Sequence, residues 1–191
     1  MMDERLKMEV ARAAEVIKRG GVILYPTDTV WGIGCDATNE EAVRRVYALK
    51  QREDTRAMLV LLEDVGRLEN YAEVPEVAYE LLEVADRPLT VVYSGARNLA
   101  RNLVAADGSI GIRVTREVFS RALVARVRRP VVSTSANLSG EPAPGCFAEI
   151  AEEVKQGVDY VVDYRREEPA GAVPSSIIRL GPRGEVKIIR K

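Results

Sequence analysis

Histidine is missing from all 191 residues. Its absence removes Ser-His and Cys-His nucleophilic systems and the common histidine metal sites together. Chemistry therefore falls to Lys, Arg, Ser, Thr, Asp, Glu and backbone groups. Cysteine is scarce as well: Cys35 and Cys146 stand far apart and outside any CxxC spacing, so neither a disulfide framework nor a cysteine zinc site is supported. Aromatic residues make up only 5% of the chain, and the one tryptophan, Trp31, reads as a packing residue before it reads as a stacking platform. No apolar run approaches the about 18 residues of a membrane helix, and Asp3, Glu4, Arg5 and Lys7 put charge where a signal peptide would be apolar. The expectation is a cytoplasmic protein with no membrane partner. A net charge of −1 provides no global attraction for nucleic acid or anionic lipid, so phosphate recognition has to be local. A Walker A loop is absent, and Gly32-Ile33-Gly34 is too short for a G-x-G-x-x-G fingerprint. Any nucleotide phosphates must be held by side chains from several segments.

What the chain does have is 47% apolar content, enough for one substantial core, and the expectation is a single domain spanning residues 1–191. Leu6, Val10, Ala13, Ala14 and Ile17 recur at helical spacing over 5–19, and Gly20-Gly21 stops the helix. Residues 22–25 form a short apolar run between Gly21 and Pro26, the mark of a buried strand. Next comes a loop with Thr27, Asp28, Thr29 and two glycines, and Thr38-Asn39-Glu40-Glu41 reads as a capping box for a helix over 40–49. Hydroxyls and a carboxylate thus fall between a strand's carboxyl end and a helix, where open α/β sheets bind ligands. Further strands are read at 58–62, 89–93, 109–114, 130–132 and 159–163, and helices at 64–71, 75–85, 116–126 and 147–154. Residues 175–180 and 185–190 pattern as a hairpin across Gly181-Pro182-Arg183-Gly184. About seven strands with about five interspersed helices and a terminal hairpin predict an α/β fold whose sheet is mixed parallel and antiparallel.

The residues able to carry chemistry fall in a few clusters: Thr27-Asp28-Thr29, Lys50 with Arg52, Arg113, and Ser133-Thr134-Ser135-Ala136-Asn137. Guanidinium and ammonium groups donate to phosphate or carboxylate oxygens, and hydroxyls and amides bind the remaining oxygens, so together they describe an anion-binding site. Singly, each has a plainer explanation. A Lys-x-Arg at a helix end complements the helix dipole, and Ser-Thr-Ser at a strand end is turn chemistry.

Tyr25-Pro26-Thr27-Asp28-Thr29-Val30-Trp31-Gly32-Ile33-Gly34-Cys35-Asp36, Leu49-Lys50-Gln51-Arg52 and Pro88-Leu89-Thr90-Val91-Val92 resemble motifs of the YrdC-like family. Gly111-Ile112-Arg113-Val114, the run from Ser133 to Gly140, and Pro174-Ser175-Ser176-Ile177-Ile178 continue the resemblance in the family's order, from about Gly20 to Arg190. The resemblance implies a twisted mixed sheet flanked by helices, with a concave anion-binding cleft. It also implies an L-threonylcarbamoyl-adenylate synthase, a nucleotidyltransferase that condenses L-threonine, bicarbonate and ATP to threonylcarbamoyl-AMP and pyrophosphate. The product would pass to a downstream threonylcarbamoyl-transfer enzyme for tRNA modification, with direct contact to tRNA or other RNA left open. Thr27, Arg113, Ser133 and Ser175 would hold threonine. Lys50, Arg52, Ser135, Asn137 and Arg190 would hold ATP, with Lys50 and Arg52 acting on the phosphates. No protein metal site is implied; Mg²⁺ would arrive with ATP, and Asp28 is the one carboxylate placed to touch it. The chain departs from the family pattern at Ala57-Met58, where many members have Pro-Leu, at Leu61, where some have histidine, and at Asp86-Arg87-Pro88 in place of Trp-Pro-Gly-Pro. Ending at Lys191, it resembles the form without an extra C-terminal domain. Two other functions stay open at this level: an RNA-binding module using a basic groove of Lys50, Arg52 and Arg113 with nearby Arg44, Arg45 and Arg56, and a paralogue acting on another acyl substrate such as carbamoyl phosphate.

Overall fold

In the computed structural model, residues 3–51 and 58–191 are described. Helix α1 (Glu4–Lys18) starts at Asp3, whose carboxylate accepts from the Leu6 N–H at 3.0 Å, and its apolar stripe is the one read from spacing. Gly20, at φ +82°, turns the chain out of the helix into β1 (Ile23–Tyr25). α2 (Glu40–Leu49) is capped by Asn39, which accepts from the Glu41 and Ala42 N–H groups. Glu41 pairs with Arg44 instead of closing a capping box. The remaining elements are β3 (Leu59–Leu62), α3 (Val77–Val84), β4 (Leu89–Tyr93), β5 (Ile110–Val114), α4 (Val118–Val127), β6 (Val131–Ser135), α5 (Glu152–Gly157), β7 (Tyr160–Val161), β8 (Ser176–Leu180) and β9 (Val186–Arg190).

The structure corrects several expectations. Gly32–Gly34, read as loop, is strand β2, which brings the described strands to nine, not about seven. A Cβ on Gly34 would lie 2.6 Å from the Tyr25 ring and 2.6 Å from the Val132 carbonyl oxygen, so β2 fits between its neighbours only because it lacks a side chain there. The segment 64–71 is a 3₁₀ turn (Val65–Asn70) rather than an α-helix, and 147–154 divides into a 3₁₀ turn (Phe147–Glu149) and α5. α4 begins two residues later than its pattern suggested because Glu117 accepts from the Phe119 and Ser120 N–H groups as its cap.

The sheet runs β7-β1-β2-β6-β3-β5-β4-β8-β9. β1–β7, β3–β5 and β4–β8 are parallel, and the other neighbouring pairs are antiparallel. Period-two alternation divides its residues between two cores. Ile23, Tyr25, Leu61 and Val131 pack with α1 and α4, whereas Leu24, Val60, Leu62 and Val132 pack with residues of α2, α3 and α5. Buried Glu9 fastens α1 to the edge strand by accepting from the Tyr160 hydroxyl at 2.6 Å and the Asp163 N–H at 2.7 Å. A mixed sheet covered on both faces is thus a single α/β architecture. Motifs far apart in sequence come together because β2, β6, β3 and β5 are successive neighbours in it.

Candidate active site

Six strands, β2, β3, β5, β6, β8 and β9, each supply a residue to one cleft of about 310 Å³. The expectation that ligand groups gather at strand carboxyl ends holds for β6, where Ser133, Thr134 and Ser135 line the wall. In this mixed sheet, however, Leu59 and Ile177 come from the amino-terminal halves of β3 and β8. Gly32 forms part of the floor: a Cβ there would meet Thr27, Ser133 and Tyr25 at 3.3–3.4 Å.

Among the described residues, the cations that line the cleft are Arg113 and Arg190. Arg113 is 3% exposed, and its Nη2 lies 3.1 Å from Asp28 Oδ1, a charge contact without hydrogen-bond alignment. Its Nε is buried with no hydrogen-bond partner. Arg190 donates from Nε and Nη2 to the Ser175 carbonyl at 2.9 and 2.8 Å, which fixes β9 to the start of β8. Burial, and next the charge of Arg113, lower the Arg190 pKa. Two cations share this cleft, and an anion bound between them would relieve that repulsion. Burial raises the Asp28 pKa, an effect that the Arg113 charge partly offsets.

The hydroxyl wall is built on β6 and the start of β8. Ser133 and Ser175 are buried at its edges, and Ser175 Oγ lies 2.8 Å from Thr90 Oγ1. Asn137 donates to the Leu138 and Glu141 carbonyls at 2.9 and 2.8 Å, while its Oδ1 is buried without a partner.

Of the residues read from sequence, the structure brings Arg113, Ser133, Ser135, Asn137, Ser175 and Arg190 onto this cleft. Thr27 and Lys50 stand behind its walls. Thr27 Oγ1 accepts from the Thr29 N–H at 3.0 Å and donates to the Val30 carbonyl at 2.8 Å, so it shapes the loop from which Thr29 and Val30 reach the cleft. Lys50 is 2% exposed rather than a solvated helix end, and its ammonium donates to the Ser135 and Asn137 carbonyls at 2.5 and 2.7 Å. Arg52, with Arg56 and Ala57, lies outside the described residues. Trp31 is buried against Phe147, with ring centroids 4.8 Å apart. Arg44 and Arg45 are engaged by Glu41 and Asp159. Among the described residues no cluster of three or more Cys, Asp or Glu could hold a metal ion.

Several residues were not singled out in advance. Glu141 and Ala143 line the cleft from a Pro/Gly-rich link, a composition that marks a loop but says nothing of its path. Thr90 was part of a motif but had no assigned partner. Arg165, at φ +60°, donates to the Thr27 carbonyl at 3.0 Å and contacts Glu117 and Glu168, tying the loop after β1 to the chain beyond β7. An arginine among the alternating charges of 163–168 carries no signal of that kind.

The model of the Sua5/YciO/YrdC family, described as telomere recombination, matches residues 15–191. A threonylcarbamoyl-AMP synthase of Pseudoalteromonas translucida is 33% identical over 174 residues, covering 88% of this chain and 91% of that protein. A second threonylcarbamoyl-AMP synthase, from Idiomarina loihiensis, is 32% identical over 171 residues, covering 87% and 90%. Among solved structures, P. abyssi Sua5 complexed with L-threonine superposes with a TM-score of 0.81 at 27% identity; it covers 94% of this chain, which spans only 52% of the Sua5 chain. On the extent of these matches, the chain belongs to the Sua5/YciO/YrdC family.

Proposed function

We propose that this protein is a threonylcarbamoyl-AMP synthase that condenses L-threonine, bicarbonate and ATP into threonylcarbamoyl-AMP, pyrophosphate and water. The observation that carries this reading is the pair of arginines, Arg113 and Arg190, facing the Ser133–Ser135 strand end in one cleft of small-molecule size. The relatives that match over most of their length bear that name, and the Sua5 structure was obtained with L-threonine. Residues 1–191 act as one domain on this reading.

Arg113, with its unpartnered Nε, is the group suited to an α-carboxylate, and Ser133 and Ser175 offer hydroxyls beside it. Thr27 holds the shape of that subsite by folding the loop that carries Thr29 and Val30. ATP lies toward Ser135, Asn137 and Arg190, with Arg52 on its phosphates. Lys50 serves the same end by aiming the Ser135 to Asn137 backbone. The threonine amine bonds to the bicarbonate carbon, whose hydroxyl leaves as water with an amine proton to give a carbamate, and a carbamate oxygen then attacks the α-phosphorus and displaces pyrophosphate. Charge grows on phosphoryl oxygens in that step, and preset cations stabilise it without reorganising. Mg²⁺ comes with ATP, bound largely by phosphate oxygens. Asp28 faces Arg113 and Thr115 and is not turned to such an ion, whereas Glu141 lines the cleft. The adenylate then passes to a transferase acting on tRNA, and the setting is the cytoplasm; no helix among the described residues is long and apolar enough to cross a membrane.

Pyrophosphate release from ATP in bicarbonate buffer tests the reading. Release that requires L-threonine is expected; release at the same rate without threonine, or none with all three substrates, would refute it.

A further inference from the structure

Asp28 stands behind the cleft and is not part of its lining. It stands in the loop between β1 and β2, and its carboxylate lies between Arg113 on one side and a second cavity of about 190 Å³ on the other, which it lines with Val114, Leu89 and Arg116. The contact to Arg113 joins side chains that are 3% and 14% exposed. A second contact comes from the Thr115 hydroxyl, 3.4 Å from Asp28 Oδ2. Asp28 Oδ1 itself is buried without a hydrogen bond. A carboxylate kept only for stability would satisfy both its oxygens; here Oδ2 takes the Thr115 hydroxyl, while Oδ1 faces a guanidinium without a hydrogen bond.

The loop that carries it is held from both sides. Thr27 Oγ1 closes a turn over Thr29 and Val30, and Arg165 donates to the Thr27 carbonyl at 3.0 Å. Arg113 is held differently along its length: its Nη2 is drawn toward Asp28, while its Nε has no protein partner.

We propose that Asp28 is a positioning residue, which holds the Arg113 guanidinium in place so that its Nε edge stays turned to the carboxylate of the bound amino acid. The identity of that ligand rests on the functional reading above; the orientation of Arg113 does not. Asp28 loses its charge in Asp28→Asn, a variant of nearly the same shape that keeps an acceptor for Thr115.

Two measurements on the full chain separate the possibilities. Calorimetric titration with L-threonine should show at least about a tenfold weaker Kd in Asp28→Asn, with the Kd for ATP changed by less than about threefold. The same substitution in an Arg113→Gln background should add no further loss, because it acts through Arg113. The Arg113 Nε–H signal in nitrogen-15 spectra, assigned by its disappearance in Arg113→Lys, gives a test without any ligand. It should be dispersed in the parent protein and collapse to the position of free arginine in Asp28→Asn. An unchanged threonine Kd in Asp28→Asn, an equal further loss in the Arg113→Gln background, or an unmoved Nε–H signal would each overturn the proposal. A parent protein that binds no threonine would contradict the functional reading instead, and the Nε–H signal would still decide the role of Asp28.

Discussion

Arg113 and Lys50 are both buried cations near the cleft, yet their neighbours give them different work. Arg113 presents a guanidinium edge that nothing in the protein engages, while Lys50 spends its ammonium on two backbone carbonyls. Arg113→Lys retains charge but loses the planar fork, so the KM for threonine should rise by about tenfold or more while the KM for ATP moves far less. Kinetics with each substrate varied in turn check this, and a rise confined to ATP would assign Arg113 to the nucleotide instead. Lys50→Ala removes the donor for the Ser135 and Asn137 carbonyls. It should reduce turnover by about a hundredfold and, by taking a charged donor from these two carbonyls, destabilise the fold by about 1–3 kcal/mol. Urea unfolding and pyrophosphate release measure the two effects. A stable Lys50→Ala protein with parental turnover would show that the 135–137 backbone needs no such anchor. In the sequence, a lysine at the end of α2 looked like a solvated helix terminus, because what buries it is a loop some 85 residues away in the chain. Arg113 was easier to find, since alternation along a strand is a local pattern.

At the scale of elements, β2 is the most exacting piece. Gly34 passes under the Tyr25 ring and beside the Val132 carbonyl, a backbone group that cannot swing away. Gly34→Ala should therefore destabilise the protein by about 1–3 kcal/mol through overpacking, read as a lower urea midpoint at unchanged slope. A midpoint equal to the parent's would mean that β1 and β6 separate more easily than their packing implies. The same feature explains what the sequence concealed. Val22 to Tyr25 and Met58 to Leu62 could be recognised as strands from their apolar runs, but Gly-Ile-Gly carries almost no strand propensity, and its identity as β2 comes from pairing on both sides. The β8–β9 hairpin was legible from its turn. Its docking beside β4, which brings Arg190 to the cleft, is a long-range pairing that no local pattern encodes.

Across the whole molecule, ion pairs join segments distant in sequence, and one of them should be visible in the pH dependence of stability. Asp107 accepts from Ser109 and pairs with Arg179 at 2.6 Å, linking the loop before β5 to β8, and these contacts hold its pKa at about 2, below the ordinary aspartate value of 3.8. The folded value is depressed, so its contribution is fully present above the unfolded pKa and is lost as pH falls through 3.8 toward 2. Asp107→Asn should flatten the parent's loss of stability in that window, by a modest amount because the pair is exposed. Superimposable stability curves for the two proteins below pH 4 would mean that the link contributes nothing. The catalytic proposal also belongs to the whole molecule, since no element contains more than a fraction of the cleft. Carbon-13 bicarbonate supplied with L-threonine and ATP gives the most direct measurement. The expected result is one product by mass spectrometry that contains the labelled carbon, threonine and AMP, formed in step with pyrophosphate. Pyrophosphate released while the label stays in bicarbonate, or labelled product formed without threonine, would contradict it.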